Sequence, residues 1–146
     1  MQTDATRRHE REGRLLDGVR AFARRDLDPF GRAMRPDVEM RLPGTSWLAG
    51  VYRGPEAVTR CIVGLRDVLQ SSADRVRFRH TDDQVVMEHE VTLRGRFHEV
   101  AMTFSVTVTY DDDEHVRTIA VEPADLGLFD HVLKTSLVAS QVARHH

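Results

Sequence analysis

Apolar positions along this chain change their period once. Near the start, Leu15, Val19 and Phe22, with Leu16 and Ala23 beside them, recur at helical spacing, so residues 9–25 are predicted to form an amphipathic helix. The segment "DLDPFGRAM" offers Asp26 or Asp28 as an N-cap and Pro29 in a first turn, which predicts a short second helix ending before Pro36. "DVEMRLP" then alternates as a strand with Val38, Met40 and Leu42 on one face. After the Gly-punctuated loop "RLPGTSWLAGVYRG", the segment "GPEAVTRCIVGLRDVLQSS" restarts a helix with Pro55 near its beginning and Val58, Ile62, Leu65 and Leu69 as its stripe. Gly64 within it either weakens the helix or allows close packing.

From Asp74 onward the period becomes two. "RVRFRH", "QVVMEHEVTLR", "EVAMTFSVTVTY" and "HVRTIAVEP" are four candidate strands joined by short polar turns, an antiparallel meander. Pairing the first two across Asp82 and Asp83 sets Arg77 opposite Glu88, Arg75 opposite Glu90, Phe78 opposite Met87 and Val76 opposite His89. Continuing into the third strand sets Arg94 opposite Glu99, Leu93 opposite Val100 and His89 opposite Phe104. Charges then meet their opposites on one face while the other stays apolar, and a slip of one residue would destroy both arrangements. Helices followed by a sheet with one apolar face predict an α+β fold, the helices lying on one side of a curved antiparallel sheet. The terminal "LGLFDHVLKTSLVASQVARHH" is expected to give a short helix and a frayed tail.

Composition narrows the classes. A chain of 146 residues is the size of one domain, and residues 1–146 are expected to form a single one, with a core over about 10–130. Hydrophobic and charged contents of 40% and 30% are those of a globular protein, and no apolar run reaches the ~18 residues of a membrane span. The polar N-terminus lacks a secretory signal, so a cytoplasmic location is expected. Formal net charge is −2, acids are interspersed with the arginines, and Lys134 is the only lysine, which argues against nucleic acid as a partner. Cys61 is the only cysteine, excluding an internal disulfide and any multi-cysteine zinc site. No glycine-rich phosphate loop appears, so no organic cofactor is expected.

The order of elements, together with "RPDVEMRLPGTSWLAGVYRGPEAV" and "TYDDDEHVRTIAVEPADLGLF", resembles the SnoaL-like polyketide cyclase branch of the NTF2-like superfamily over about residues 10–130. The resemblance implies a cone whose sheet wraps around the N-terminal helices and encloses an apolar cavity. It also implies a bulky apolar small-molecule ligand, polyketide-type, in an enzyme of cyclase, isomerase or lyase type, and a homodimer formed through the convex sheet face. Noncatalytic binding or dimerisation modules share the fold, so the fold alone does not name a reaction. Around Pro43 and "TYDDD", Leu42 and Val106 stand where the steroid-isomerase branch carries its two acids, which disfavours that chemistry. No inward Asp-Arg-Asp set of the epoxide-hydrolase kind is visible either.

Chemistry must come from polar groups that interrupt the inward face. Only His80 and His89 do so among the residues assigned to it. His89, between Met87 and Val91, is either a proton-transfer group with a pKa near working pH or a core histidine bonded to a neighbour. His80 lies nearer the hairpin turn, about four residue steps or roughly 13 Å away at ~3.3 Å per step, too far to share a metal; no metal is expected. Glu122 enters the cavity or leaves it depending on the phase of the last strand. Asp125 resembles the acidic residue many SnoaL-like members carry there, or else caps the terminal helix. His89, Asp125 and Glu122 are thus the catalytic candidates. Phe22, Phe30, Met40, Trp47, Tyr52, Phe78, His80, Met87 and Phe104 are the candidates for ligand contact, with Trp47 and Tyr52 expected to rim the mouth.

Overall fold

A computed structural model describes the backbone of residues 3–24, 28–95 and 99–136, and among these all side chains except those of 23, 28–30 and 71–74. The chain runs α1 (Asp4–Ala23), α2 (Asp28–Ala33), β1 (Met34–Leu42), β2 (Gly50–Arg53), α3 (Pro55–Val68), β3 (Leu69–His80), β4 (Gln84–Arg94), β5 (Glu99–Tyr110), β6 (Val116–Pro123) and α4 (Leu126–Lys134). The six strands form one sheet in the order β2-β1-β6-β5-β4-β3. Three antiparallel hairpin pairings carry the chain from β3 to β6, and β1 then joins β6 in parallel.

The predicted register of the meander is the observed one: Phe78 pairs with Met87, Val76 with His89, His89 with Phe104 and Arg94 with Glu99. Outward charges confirm the phase, with Arg75 on Glu90 at 2.7 Å and Arg79 on Glu88 at 2.9 Å. Three boundaries differ from the sequence reading. Helix α1 begins at Asp4, five residues earlier than predicted, because the Thr3 hydroxyl accepts from the Thr6 amide and caps it. Helix α3 ends at Val68, and Leu69, in extended backbone, passes directly into β3, where it pairs with Leu93. Part of the quoted loop is strand β2, antiparallel to β1.

The interior lies between the concave face of the sheet and the helices. Val38, Met40, Leu42, Val85, Val91, Leu93, Met102 and Phe104 point into it from the strands, and Val58, Cys61, Ile62 and Leu65 from α3. At one end α4, capped by the Asp125 carboxylate accepting from the Leu128 amide at 3.0 Å, drives Phe129, Val132 and Leu133 into full burial. At the other end, α1 packs against the β3–β4 and β5–β6 turns, which Arg11 bonds.

Candidate functional site

A cavity of about 610 Å³ opens between α1, the end of α2, α3 and the concave faces of β1, β4, β5 and β6. That size is within the range of small-molecule sites. Its walls are made by the stripe that α1 presents, Leu15, Val19 and Phe22, and by strand residues whose inward phase was legible from alternation, including Met40, Met87, Phe104, Val106 and Val108. Ile119 and Val121 of β6 line it too, which sets the phase of that strand.

His89 is the titratable side chain among these inward strand positions of β4 and β5 other than Tyr110 at the rim. Its imidazole meets the Phe104 ring edge-on, centroids 6.4 Å apart, and Phe104 meets Phe129 of α4 in the same way at 5.4 Å. Packing therefore orients His89. Its Nδ1 is enclosed without a hydrogen-bond partner among the described residues. Burial, by disfavouring the cation, pushes its pKa below the usual histidine value, so the ring is neutral near pH 7.

The mouth is polar. Arg14 and Asp17 of α1, Arg32 of α2 and Asp113, Glu114 and His115 of the β5–β6 turn surround it. The turn's geometry follows from "DDDEH": the Asp111 carboxylate accepts from the amides of Asp113 and His115, both at 2.9 Å, which holds its own pKa below the usual carboxylate range. This tight turn leaves Glu114 at φ 62° and aims its carboxylate at α1. There Arg11, only 3% exposed, receives it in a bidentate pair with both contacts at 2.7 Å. Arg11 also donates to the Asp82 carbonyl in the β3–β4 turn at 3.0 Å, and its guanidinium lies 4.6 Å from the Tyr110 ring centroid. One arginine thus ties α1 to both turns at the open end of the sheet.

Of the expected ligand contacts, Phe22, Met40, Met87 and Phe104 line the cavity together with His89. Phe30 falls outside the described side chains. The structure places the remaining candidates elsewhere. Trp47 is half-buried away from the mouth and donates its indole N–H to the Leu133 carbonyl at 3.0 Å, satisfying a helix-end acceptor of α4. The Tyr52 hydroxyl donates to the Leu48 carbonyl. It lies close to Cys61, and burial pushes the two groups up to about 12 and about 11. Phe78 packs against the core without lining the cavity. His80 is engaged through Nε2 with Glu12 of α1 at 2.9 Å. Glu122, paired with Ser105, is exposed on the convex face because Val121 takes the inward phase. Asp125 is the cap of α4. Of the three catalytic candidates, only His89 lies at the cavity.

The sequence reading missed the polar rim and the Arg11–Glu114 pair. One signal was present, since Arg11 continues the α1 stripe one turn before Leu15 and a charged residue at such a position needs a buried partner. Among the described residues, no three His, Cys, Asp or Glu side chains gather where they could hold a metal, and no helix is long and apolar enough to cross a membrane.

No family model matches the chain. An uncharacterised protein of Mycobacterium tuberculosis is 39% identical over 77 residues, an alignment covering 42% of this chain and 59% of that protein. The chain therefore spans about three fifths of the curated relatives it matches. Solved structures agree over much more of it. An NTF2-like protein from Burkholderia xenovorans superposes with a TM-score of 0.70 at 18% identity, covering 83% of this chain and 93% of its own. TerC, co-crystallised with polyporic acid, does so with a TM-score of 0.70 at 20% identity, covering 84% and 96%. A protein named as a SnoaL-like polyketide cyclase from Shewanella denitrificans gives 0.60 at 14% identity, covering 86% and 98%. At these identities the likeness is one of fold.

Proposed function

Taking the NTF2-like fold of this chain as premise, we propose that it binds a bulky apolar small molecule of polyketide type and promotes its cyclisation or isomerisation. The observation that carries this reading is the largely apolar cavity of about 610 Å³ with the His89 imidazole in its strand wall. Walls of this kind act mainly by shape: a flexible chain held folded loses the entropy of ring closure before the chemical step, and few polar groups are needed. Proton transfer is assigned to His89, neutral near pH 7, acting as an acid that donates from its cavity-facing nitrogen to a carbonyl oxygen as that oxygen gains negative charge, while Nδ1 is enclosed without a partner among the described residues. Two neighbours in fold support the ligand class by their names, one a SnoaL-like polyketide cyclase and one crystallised with polyporic acid.

A second reading has its own observation. Among the described residues no carboxylate bonds to His89 Nδ1, the contact that often orients and sharpens a catalytic imidazole, as expected of a site that binds without turnover. One experiment separates the two. The protein is incubated with a poly-β-keto thioester that closes slowly by itself, and the products are resolved by chromatography over time. Accelerated or redirected ring closure, reduced about 10²- to 10⁴-fold in a folded His89→Phe variant, supports the enzyme. Tight binding with the spontaneous rate unchanged supports the binding module. We assign the partner copy of a homodimer to the convex face, where Ala101, Thr103, Ser105, Thr107 and Thr109 form a row of small side chains.

A further inference from the structure

We propose that His89 meets its ligand as a hydrogen-bond donor through an Nε2–H turned to the cavity, so that the compound this site takes carries an accepting oxygen at its buried end. The inference deepens the reading above and rests on it for the apolar body of the ligand.

The reasoning begins with the two ring nitrogens. A neutral imidazole has one N–H and one bare lone pair. Among the described residues, Nδ1 is enclosed without a partner and Nε2 makes no hydrogen bond. A proton on Nδ1 would bury an N–H with nothing to accept it, the less tolerated kind of unsatisfied group. A proton on Nε2 leaves only a lone pair in apolar contact and turns the donor to the cavity, where water or ligand can accept it. The tautomer of a histidine is ordinarily set by what the other nitrogen bonds. Here it is set by the absence of any such bond.

The rest of the cavity determines what can reach that donor. His89 pairs with Phe104, and Tyr110 at the rim lies six residues further along β5, roughly 20 Å of strand at about 3.3 Å per residue. Between them the inward wall is Met87, Val106 and Val108, with Ile119 and Val121 beside it. A molecule entering past the charged rim travels through apolar surface and finds its next polar contact at His89. A ketone, quinone or enolate oxygen at its leading end accepts from Nε2–H. An amine or ammonium at that end finds a donor facing a donor and is rejected, since an unpaired buried polar group costs more than the bond would have contributed. The same bond strengthens if the oxygen gains negative charge, so the donor favours an enolate-like state over the ketone.

Two measurements test this on the intact protein. Heteronuclear NMR of the free protein carrying isotope-labelled histidine, near neutral pH, reads the tautomer directly, the His89 signals being identified by their loss in His89→Gln. A protonated Nε2 with a bare Nδ1 is expected. A bare Nε2, or a doubly protonated ring, overturns the proposal. The second measurement compares fluorenone with fluorene, the same apolar body with and without the oxygen. Fluorenone should bind about fivefold or more tightly than fluorene, as one hydrogen bond implies, and its carbonyl stretch should fall below its value in hydrocarbon solvent. His89→Phe should remove both effects. Equal binding with an unshifted carbonyl in the wild-type protein overturns the donor role while leaving the apolar-ligand reading intact. Failure of both compounds to bind sinks that reading instead, and the NMR result still decides the tautomer.

Discussion

Replacing Glu114 with Gln removes one charge and keeps the shape. Arg11 is 3% exposed and directs three N–H groups at acceptors, two of them to Glu114 at 2.7 Å and one to the Asp82 carbonyl at 3.0 Å. Breaking a buried ion pair from one side costs about 3–5 kcal/mol, because the remaining charge stays buried without compensation. The Glu114 side chain is 22% exposed, and water entering from its side lowers the expected loss to about 2–4 kcal/mol. For a domain of this size that is roughly 6–12 °C in Tm. Arg11→Met should cost less, about 1–2 kcal/mol, since it removes the desolvated cation as well, fills the site with apolar volume and leaves Glu114 beside Arg7 and within reach of water. The double variant should fall near Arg11→Met. Urea unfolding at pH 7 measures all three. A Glu114→Gln cost below about 1 kcal/mol, or no larger than that of Arg11→Met, would refute the account of Arg11 as a buried cation held by Glu114. The acid limb gives an independent check. The Arg11 hydrogen bonds hold the Glu114 pKa below its ordinary 4.5, so its stabilisation is fully present above about that pH and is lost as pH falls through the lower folded value. Glu114→Gln should flatten that limb.

His89 titrates in the opposite chemical sense: its folded pKa lies below the unfolded value of 6.5, so the unfolded chain takes up the proton first and stability falls as pH drops below about 6.5. His89→Phe should lose that slope, and parallel pH–stability curves for the two proteins would contradict it. Gly44→Ala should cost about 2 kcal/mol or more, since φ is +105° and the new Cβ would lie 2.2 Å from the Asp130 carboxylate that accepts from the Thr45 amide. Gly64→Ala, whose Cβ would meet only the movable end of Leu48 at 2.8 Å, should stay within about 1 kcal/mol of neutral, helix propensity offsetting the contact. Equal Tm losses for the two glycine variants would rule out this distinction. Cys61, fully buried with its thiol pushed up to about 11, should resist thiol reagents at pH 8 until the protein unfolds, so rapid labelling of the native protein would place it elsewhere. Arg at both Ser105 and Thr107 should dissociate the proposed dimer in light scattering; a monomeric parent sinks the assignment.

The residues by themselves determined whatever depends on neighbours in the chain. Alternation placed β4 at Gln84–Arg94 and β5 at Glu99–Tyr110, and cross-strand charges set their register, because the side-chain period of two allows no slip without burying Arg and Glu. The same alternation put Met40, Met87, His89 and Phe104 on the inner face, and the α1 stripe required something to cover. Tertiary structure decided what distant segments settle between them. Strand β1 joins β6 in parallel from far away in the chain, and no local period encodes that partner. Its neighbour β6 could have presented either phase until Val121 packed inward and left Glu122 in solvent. Trp47 and Tyr52 looked suited to a mouth because both tolerate a polar edge, but each found a backbone carbonyl to satisfy that edge inside the fold. The polar rim formed instead around the β5–β6 turn, whose Glu114 is held by Arg11, a pair 103 residues apart whose geometry depends on the Asp111 turn and the packing of α1 together. Spacing along the chain reports which face a side chain occupies; which group it meets there is fixed only when the elements pack.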